Sequence, residues 1–146
     1  MTKSELLRYM RSHKLAVVGT TNASSLPEAA YVGVAVTDRF EVIFDTVSTT
    51  RKHRNLTVLP RIAVTYCGPG EKTLQYEGAA GLVLPTDPLG AEYREIYYEA
   101  WPECHDHLQW DGLVYWVVKP LWARYSDYDR GPLIHEFRWD QSGRPP

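Results

Sequence analysis

Asp45-Thr46-Val47-Ser48-Thr49-Thr50-Arg51-Lys52-His53-Arg54-Asn55-Leu56, with Pro60-Arg61-Ile62-Ala63-Val64 close behind, is the stretch on which the fold turns. An apolar strand runs into a polar turn, the turn opens a short helix that must end before Pro60, and another apolar strand follows. Arg51, Lys52 and Arg54, three of the sixteen Lys and Arg residues, fall within four positions at the start of that helix. Cations there oppose the helix macrodipole, whose N-terminal end is already positive. A bound anion would remove the conflict. Free N–H groups of the first turn would point at it, Thr49 and Thr50 supply hydroxyl donors, and Arg51 can hold phosphate oxygens through two N–H groups at once. A solvated basic face with a threonine cap is the alternative, since short basic clusters are common on surfaces. The residues alone leave both open. His53 reads as a helix-surface residue rather than a base.

Upstream, Thr2-Lys3-Ser4-Glu5 has the form of a capping box and predicts a helix over about 2–12. Leu15–Thr21 is rich in β-branched residues and reads as a strand, and Asn22–Ser25 as a turn. Ala29–Val36 is apolar at nearly every position, the pattern of a strand covered on both faces. Thr37–Arg39 makes a tight turn to Phe40–Asp45, its hairpin partner. Downstream, Arg61–Cys67 and Lys72–Leu84 are strands, and Gly78 and Gly81 inside the second suggest a bend or bulge. Asp87-Pro88 resembles an N-cap with proline at the first helical position, ahead of an apolar face made by Leu89, Tyr93, Ile96, Tyr97 and Ala100. A polar loop is expected over 101–111, then strands Leu113–Val118 and Trp122–Ser126 broken at Pro120, with room for one more at Ile134–Trp139. Short turns between consecutive strands imply antiparallel pairing. The chain therefore reads as mainly β: one domain over 1–146, an antiparallel barrel, closed or nearly so, with short helices at its ends and a tail from 129.

Composition narrows the function. The chain has 146 residues, 44% apolar and 23% charged, which fits a globular domain rather than a disordered one. A net charge of −2 gives no overall field to attract nucleic acid, so an anion site must be local. Two cysteines, Cys67 and Cys104, with no CxxC, point to a reduced, cytoplasmic setting. No apolar run is long enough for a signal peptide or a membrane span. Five Trp and ten Tyr crowd the second half, a composition suited to interfaces and ligand walls.

Four stretches in order resemble the pyridoxamine 5′-phosphate oxidase-like family of split barrels. Asp45–Lys52 with Asn55-Leu56 and Pro60–Val64 is similar to its flavin-phosphate segment, Leu26–Val34 to its second strand, and Thr73-Leu74-Gln75-Tyr76-Glu77-Gly78 to its V-x-x-E-G strand. Val118-Lys119-Pro120-Leu121-Trp122-Ala123-Arg124 looks like the closing x-x-P-x-W-x-R of small members. The resemblance covers about residues 13–128. It departs from the family at Leu59, where Asn is frequent, and at Ala29-Ala30, where many members carry an Arg that contacts phosphate.

What the resemblance implies is an FMN-binding antiparallel split barrel, a homodimer with two FMN sites at its interface, and an FMN-dependent oxidoreductase of unassigned small-molecule substrate. Carried over by position, Arg51 and Lys52 bind the phosphate with Thr50 and Thr46 as hydroxyl donors. The backbone of Tyr31, Val32, Gly33 and Val34 lines the isoalloxazine, and either Thr73 or Gln75 faces the ring or ribityl chain. Two alternatives are a flavin-binding protein without turnover and the same barrel holding a deazaflavin coenzyme or haem. The chain is not expected to be a true pyridoxamine 5′-phosphate oxidase, because no substrate-binding Arg and His spacing matches at Arg138 and His135.

Cys104-His105-Asp106-His107 carries metal-ligand residue types, and on a strand His105 and His107 would share a face. A zinc site wants three or four ligands with supporting partners, so a polar loop with no metal is the expectation. No partners are in view for a Cys–His nucleophile. Trp101, Trp110, Trp116 and Trp122 are assigned to the core, with one or two available to cover a neighbour's flavin. Walker, dinucleotide-binding and HExxH motifs do not occur.

Overall fold

The computed structural model of the protein describes residues 1–140. Helix α1 (Lys3–Ser12) opens with the capping box read from sequence: Glu5 N–H donates to Thr2 Oγ1 at 3.2 Å and Thr2 N–H to the Glu5 carboxylate at 2.7 Å. Its Leu6 and Met10 are 0% and 1% exposed, each burial contributing about 1.5–3 kcal/mol. Eight strands follow among the described residues: β1 (Leu15–Thr21), β2 (Pro27–Gly33), β3 (Ala35–Val36), β4 (Val42–Val47), β5 (Arg61–Cys67), β6 (Lys72–Leu82), β7 (Leu113–Asp127) and β8 (Leu133–Arg138). Helix α2 (Arg51–Val58) lies between β4 and β5, and α3 (Gly90–Ala100) precedes a 3-10 helix at Pro102–Gln109.

All strand pairs named here are antiparallel, in the order β2-β1-β5-β6-β7-β4-β3, with β8 added to β7. The two ends of this order, β2 and β3, are successive pieces of one chain joined at Val34, whose N–H donates to Lys14 O at 2.8 Å. The sheet therefore curls into a split barrel. Its interior holds Val18, Val42, Phe44, Leu56, Val64, Leu74, Trp116 and Val118, capped by α1. A second apolar cluster lies outside the barrel, where Tyr93 and Tyr97 of α3 and Cys104 cover Ala35, Ile43, Tyr115 and Val117.

Four expectations change. The strand expected at 29–36 bends at Val34, and β2 is a half-exposed edge with Tyr31 68% exposed. Two-sided cover belongs instead to β3, β4 and the first half of β7, which carry core on both faces. The two strands expected on either side of Pro120 are one strand of 15 residues. Glu77 pairs with Trp122 and Gly78 with Pro120, leaving Leu121 as the extra residue of a bulge, where a proline's missing N–H breaks no ladder bond. Helix α3 starts at Gly90 rather than 88, because Asp87 Oδ1 takes the Leu89 N–H at 2.9 Å and closes a turn ahead of it. The loop expected at 101–111 is mostly the 3-10 helix, and its Cys104 is buried.

Gly78 holds the bend together. A Cβ there would press on Val118 and come within 2.6 Å of Lys119 O, which is backbone and cannot swing away. A Cβ at Gly81 would meet nothing closer than 3.9 Å. Gly78→Ala should therefore lower the unfolding free energy by about 1–3 kcal/mol, read by urea titration. Gly81→Ala should stay within about 0.5 kcal/mol of the parent. Equal effects at the two positions would contradict the packing.

Candidate functional site

Strand β4 delivers Thr46 to the N-terminus of α2. Thr46 Oγ1 lies 3.0 Å from Thr50 Oγ1, and Thr50, the N-cap, accepts the His53 N–H at 3.4 Å. Arg51 and Lys52 open the helix, which has no acidic residue in its first turn. Asn55 and Leu56 face inward. Leu56 enters the barrel core, and Asn55 Nδ2 donates to Thr20 Oγ1 at 2.9 Å and to Glu28 Oε2 at 2.8 Å. These two bonds tie α2 to β1 and β2. His53, expected on the surface, is half-buried and accepts from Trp116 Nε1 at 3.3 Å.

A cavity of about 360 Å³ opens between β2 and the start of α2, with Val18, Thr20, Ala29, Ala30, Thr49, Thr50, Arg51, Lys52 and Glu28 around it. Its size suits a small ligand. Lys52 is held below the usual lysine range by burial, which Asp45 partly offsets, and it makes no ion pair among the described residues. Such a cation is stabilised by an incoming anion. Arg51 differs, because its guanidinium donates to Glu28 Oε1. Glu28, whose side chain is 15% exposed, also accepts from Asn22 Nδ2 at 3.0 Å. Bonds from Asn55 and Asn22, and then Arg51, hold its carboxyl below the usual range. Sequence reasoning missed Glu28 and Asn55. The available signal was one carboxylate in the otherwise apolar run Pro27–Val36. A larger cavity of about 500 Å³ between α1, β3 and α3 has a rim of mixed sign, Arg11, Lys14 and Arg39 against Asp38, Glu92 and Glu99, and lacks a convergent charge.

Thr46, Thr50, Arg51 and Lys52 thus come together beside the backbone of Ala29-Ala30. Other predicted residues lie elsewhere in the chain. Tyr31 points outward from β2 opposite Val17. Val32 packs partly on the core, and Val34 is buried. Gly33 lies under Trp101, whose ring a Cβ there would meet at 3.0 Å and whose Nε1 donates to Val34 O at 3.0 Å. Thr73 and Gln75 stand on the outer face of β6, opposite Ser126 and Arg124. With β1 and β5 between β2 and β6, they are three strand spacings from β2, roughly 14 Å along the sheet. Within one chain they do not reach the cavity. Of the tryptophans, Trp116 is core, Trp101 covers β2, Trp122 is half-buried beside Glu77 and Arg138, and Trp110 is 51% exposed. His105 and His107 do not share a face: His105 stacks on Tyr98 while His107 turns to Asp45.

The curled antiparallel barrel is the architecture of the split barrels. A family model described as pyridoxamine 5′-phosphate oxidase matches residues 2–127, and the chain belongs to that family. No curated protein is similar enough in sequence to match it. Among solved structures, it is similar to a heme binding protein from Mycobacterium smegmatis (16% identity, TM-score 0.79), covering 94% of this chain and 58% of that one. A heme storage protein, HutZ of Vibrio cholerae, is 18% identical with a TM-score of 0.71, over 81% of this chain and 89% of that one. A pyridoxamine 5′-phosphate oxidase-related, FMN binding protein from Nostoc punctiforme is 8% identical with a TM-score of 0.75, over 97% and 93%. At these identities the likeness is one of fold. Among the described residues no helix is long and apolar enough to cross a membrane.

Because its folded carboxyl lies below the usual 4.5, Glu28 contributes stability that is complete above 4.5 and is lost as pH falls through the lower folded value. Glu28→Gln should therefore flatten the fall of unfolding free energy on acidification below pH 4.5. Urea titrations of parent and variant across that range measure it, and parallel acid limbs would count against the Asn55–Glu28–Arg51 network.

Proposed function

We propose that the protein binds FMN, with the flavin phosphate in the cavity between β2 and α2, and acts as an FMN-dependent oxidoreductase. The observation that carries this is Lys52: a half-buried cation without an ion pair among the described residues, in the first turn of a helix and on the wall of a cavity. First-turn N–H groups, the Thr50 and Thr46 hydroxyls and the Lys52 ammonium supply donors for a terminal phosphate. Arg51 contributes from its place on Glu28. The backbone of Tyr31–Val34 runs along the neighbouring edge strand, where the flat ring would lie. Flavin, when bound, supplies the hydride and electron chemistry, and the chain supplies position, polarity and access. A haem reading has the family likeness of the heme proteins behind it. However, the cavity lining includes no His, Cys, Met or Tyr to serve as an axial ligand.

The same reading calls for a homodimer. Leu15, Val17 and Tyr31 are 44%, 36% and 68% exposed on one side of β1 and β2, an apolar surface of the kind a second copy covers. Gln75 stands on that outer side with its amide exposed, so a second copy can present it to the flavin. That favours Gln75 over the half-buried Thr73.

Fluorescence titration tests the ligand. FMN should quench saturably at micromolar concentration and bind more tightly than riboflavin, which lacks the phosphate. The double change Arg51→Ala, Lys52→Ala should cost about 1.5–3 kcal/mol of FMN affinity with the fold intact. Unchanged affinity in that variant, or riboflavin binding as well as FMN, would remove the phosphate assignment. Haem binding with no FMN binding would favour the other reading. In sedimentation the flavin-free protein should run as a dimer at micromolar concentration, and a stable monomer that binds FMN would refute the interface.

A further inference from the structure

On the face of β4 opposite Thr46, Asp45 meets the 3-10 helix. Residues three apart eclipse in a 3-10 helix, so Cys104 and His107 project from one edge of Pro102–Gln109 toward Asp45. Asp45 Oδ2 lies 2.9 Å from His107 Nδ1, and Asp45 Oδ1 accepts from the Tyr97 hydroxyl at 2.9 Å. Cys104 is 5% exposed, with Sγ 4.0 Å from that hydroxyl. One ligand atom from each of Asp45, Cys104 and His107 lies within 4.8 Å of the other two.

We propose that Asp45, Cys104 and His107 form a mononuclear Zn²⁺ site whose fourth position is left to water. Thiolate, imidazole and carboxylate together are the donor set of a borderline ion, and the sulfur argues against Ca²⁺ and Mg²⁺. Bond lengths of about 2.0–2.3 Å put the ligand atoms of a tetrahedral site roughly 3.3–3.7 Å apart. The Asp45–His107 contact of 2.9 Å is shorter than that and the other two separations stay within 4.8 Å, so small side-chain adjustments bring the three ligand atoms around one ion. Charge also balances: one thiolate and one carboxylate neutralise the dication, which suits a site walled by Ile43, Val117 and Tyr115. On binding, the Cys104 thiol proton leaves to solvent, and neutral His107 keeps its single proton on Nε2 while Nδ1 ligates. Supporting contacts are in place. Tyr97 orients the carboxylate, and Trp110 stacks on the His107 ring at 3.8 Å. A cysteine nucleophile fits less well, since Cys104 bonds to Tyr97 while Asp45 occupies His107 Nδ1.

Titration of the reduced, metal-free protein with Co²⁺ and then Zn²⁺ is the test. The parent should take up one Co²⁺ per chain with a thiolate-to-cobalt charge-transfer band, which Zn²⁺ abolishes. Zn²⁺ should also release a proton and raise the parent's Tm, readouts that need no variant. The band should survive Cys67→Ser and vanish in Cys104→Ser. Tyr97→Phe should weaken Zn²⁺ binding by about 10–100-fold. A parent without the band or the Tm rise, or a band that follows Cys67 instead of Cys104, would overturn the proposal.

Discussion

Gly78 and Pro120 face each other where β6 and β7 bend together, and the rest of the barrel hangs on that bend. No side chain fits at Gly78, because Lys119 O would lie 2.6 Å from its Cβ. Pro120 removes a donor and Leu121 is an extra residue, so the strand changes direction there without leaving the sheet. The N-terminal half of β7 consequently pairs with β4 and the C-terminal half with β8, while β6 accompanies both. Leu121 O is taken by Trp139 N–H at 3.1 Å, which draws the chain beyond β8 back onto the bulge.

Strand β4 turns that geometry into chemistry. Successive residues of a strand face opposite ways, so Asp45 and Thr46 serve opposite sides of one wall. Thr46 joins Thr50 and the start of α2, while Asp45 joins Tyr97 and His107 under the 3-10 helix. The two sites share a wall one residue thick. Asp45 also acts on Lys52 across it, partly offsetting the burial that lowers that ammonium's proton affinity. Part of the aromatic surplus of the second half lies here: Tyr93, Tyr97, Tyr115 and Trp101 close the outer layer over β3, β4 and β7.

Local features were legible in the sequence, and features set by distant partners were not. The capping box of α1 and the Thr50 cap of α2 depend on residues within one turn, and both stand in the structure. The continuity of β7 through Pro120 depends on Gly78, more than forty positions away in sequence. The near-continuous apolar run marked Ala29–Val36 but could not tell a core strand from an edge strand with one side exposed. Asp45 was visible only as the residue before Thr46, because Cys104 and His107 reach it from the far end of α3. A strand-like spacing rule paired His105 with His107, whereas the three-residue 3-10 period pairs Cys104 with His107.

A carboxylate inside an anion cavity looks self-defeating until the two cations are considered separately. Two positive side chains at a helix N-terminus repel each other and the macrodipole. Glu28, held by Asn55 and Asn22, neutralises Arg51 and fixes the guanidinium at the cavity mouth. Asn55 thereby links the helix to the carboxylate, so the position of Arg51 is set by β2 as much as by α2. Lys52 receives no such ion-pair partner among the described residues and keeps the conflict with the dipole, while Asp45 only partly offsets its burial. In the proposed reading, an arriving phosphate would gain most from the cation that is still unsatisfied, so its charge would be met first by Lys52 and the first-turn N–H groups. Arg51, held by Glu28, would then add donors. The chain lacks an Arg at Ala29-Ala30, and the carboxylate beside that gap spends one of the two cations on rigidity rather than on net charge.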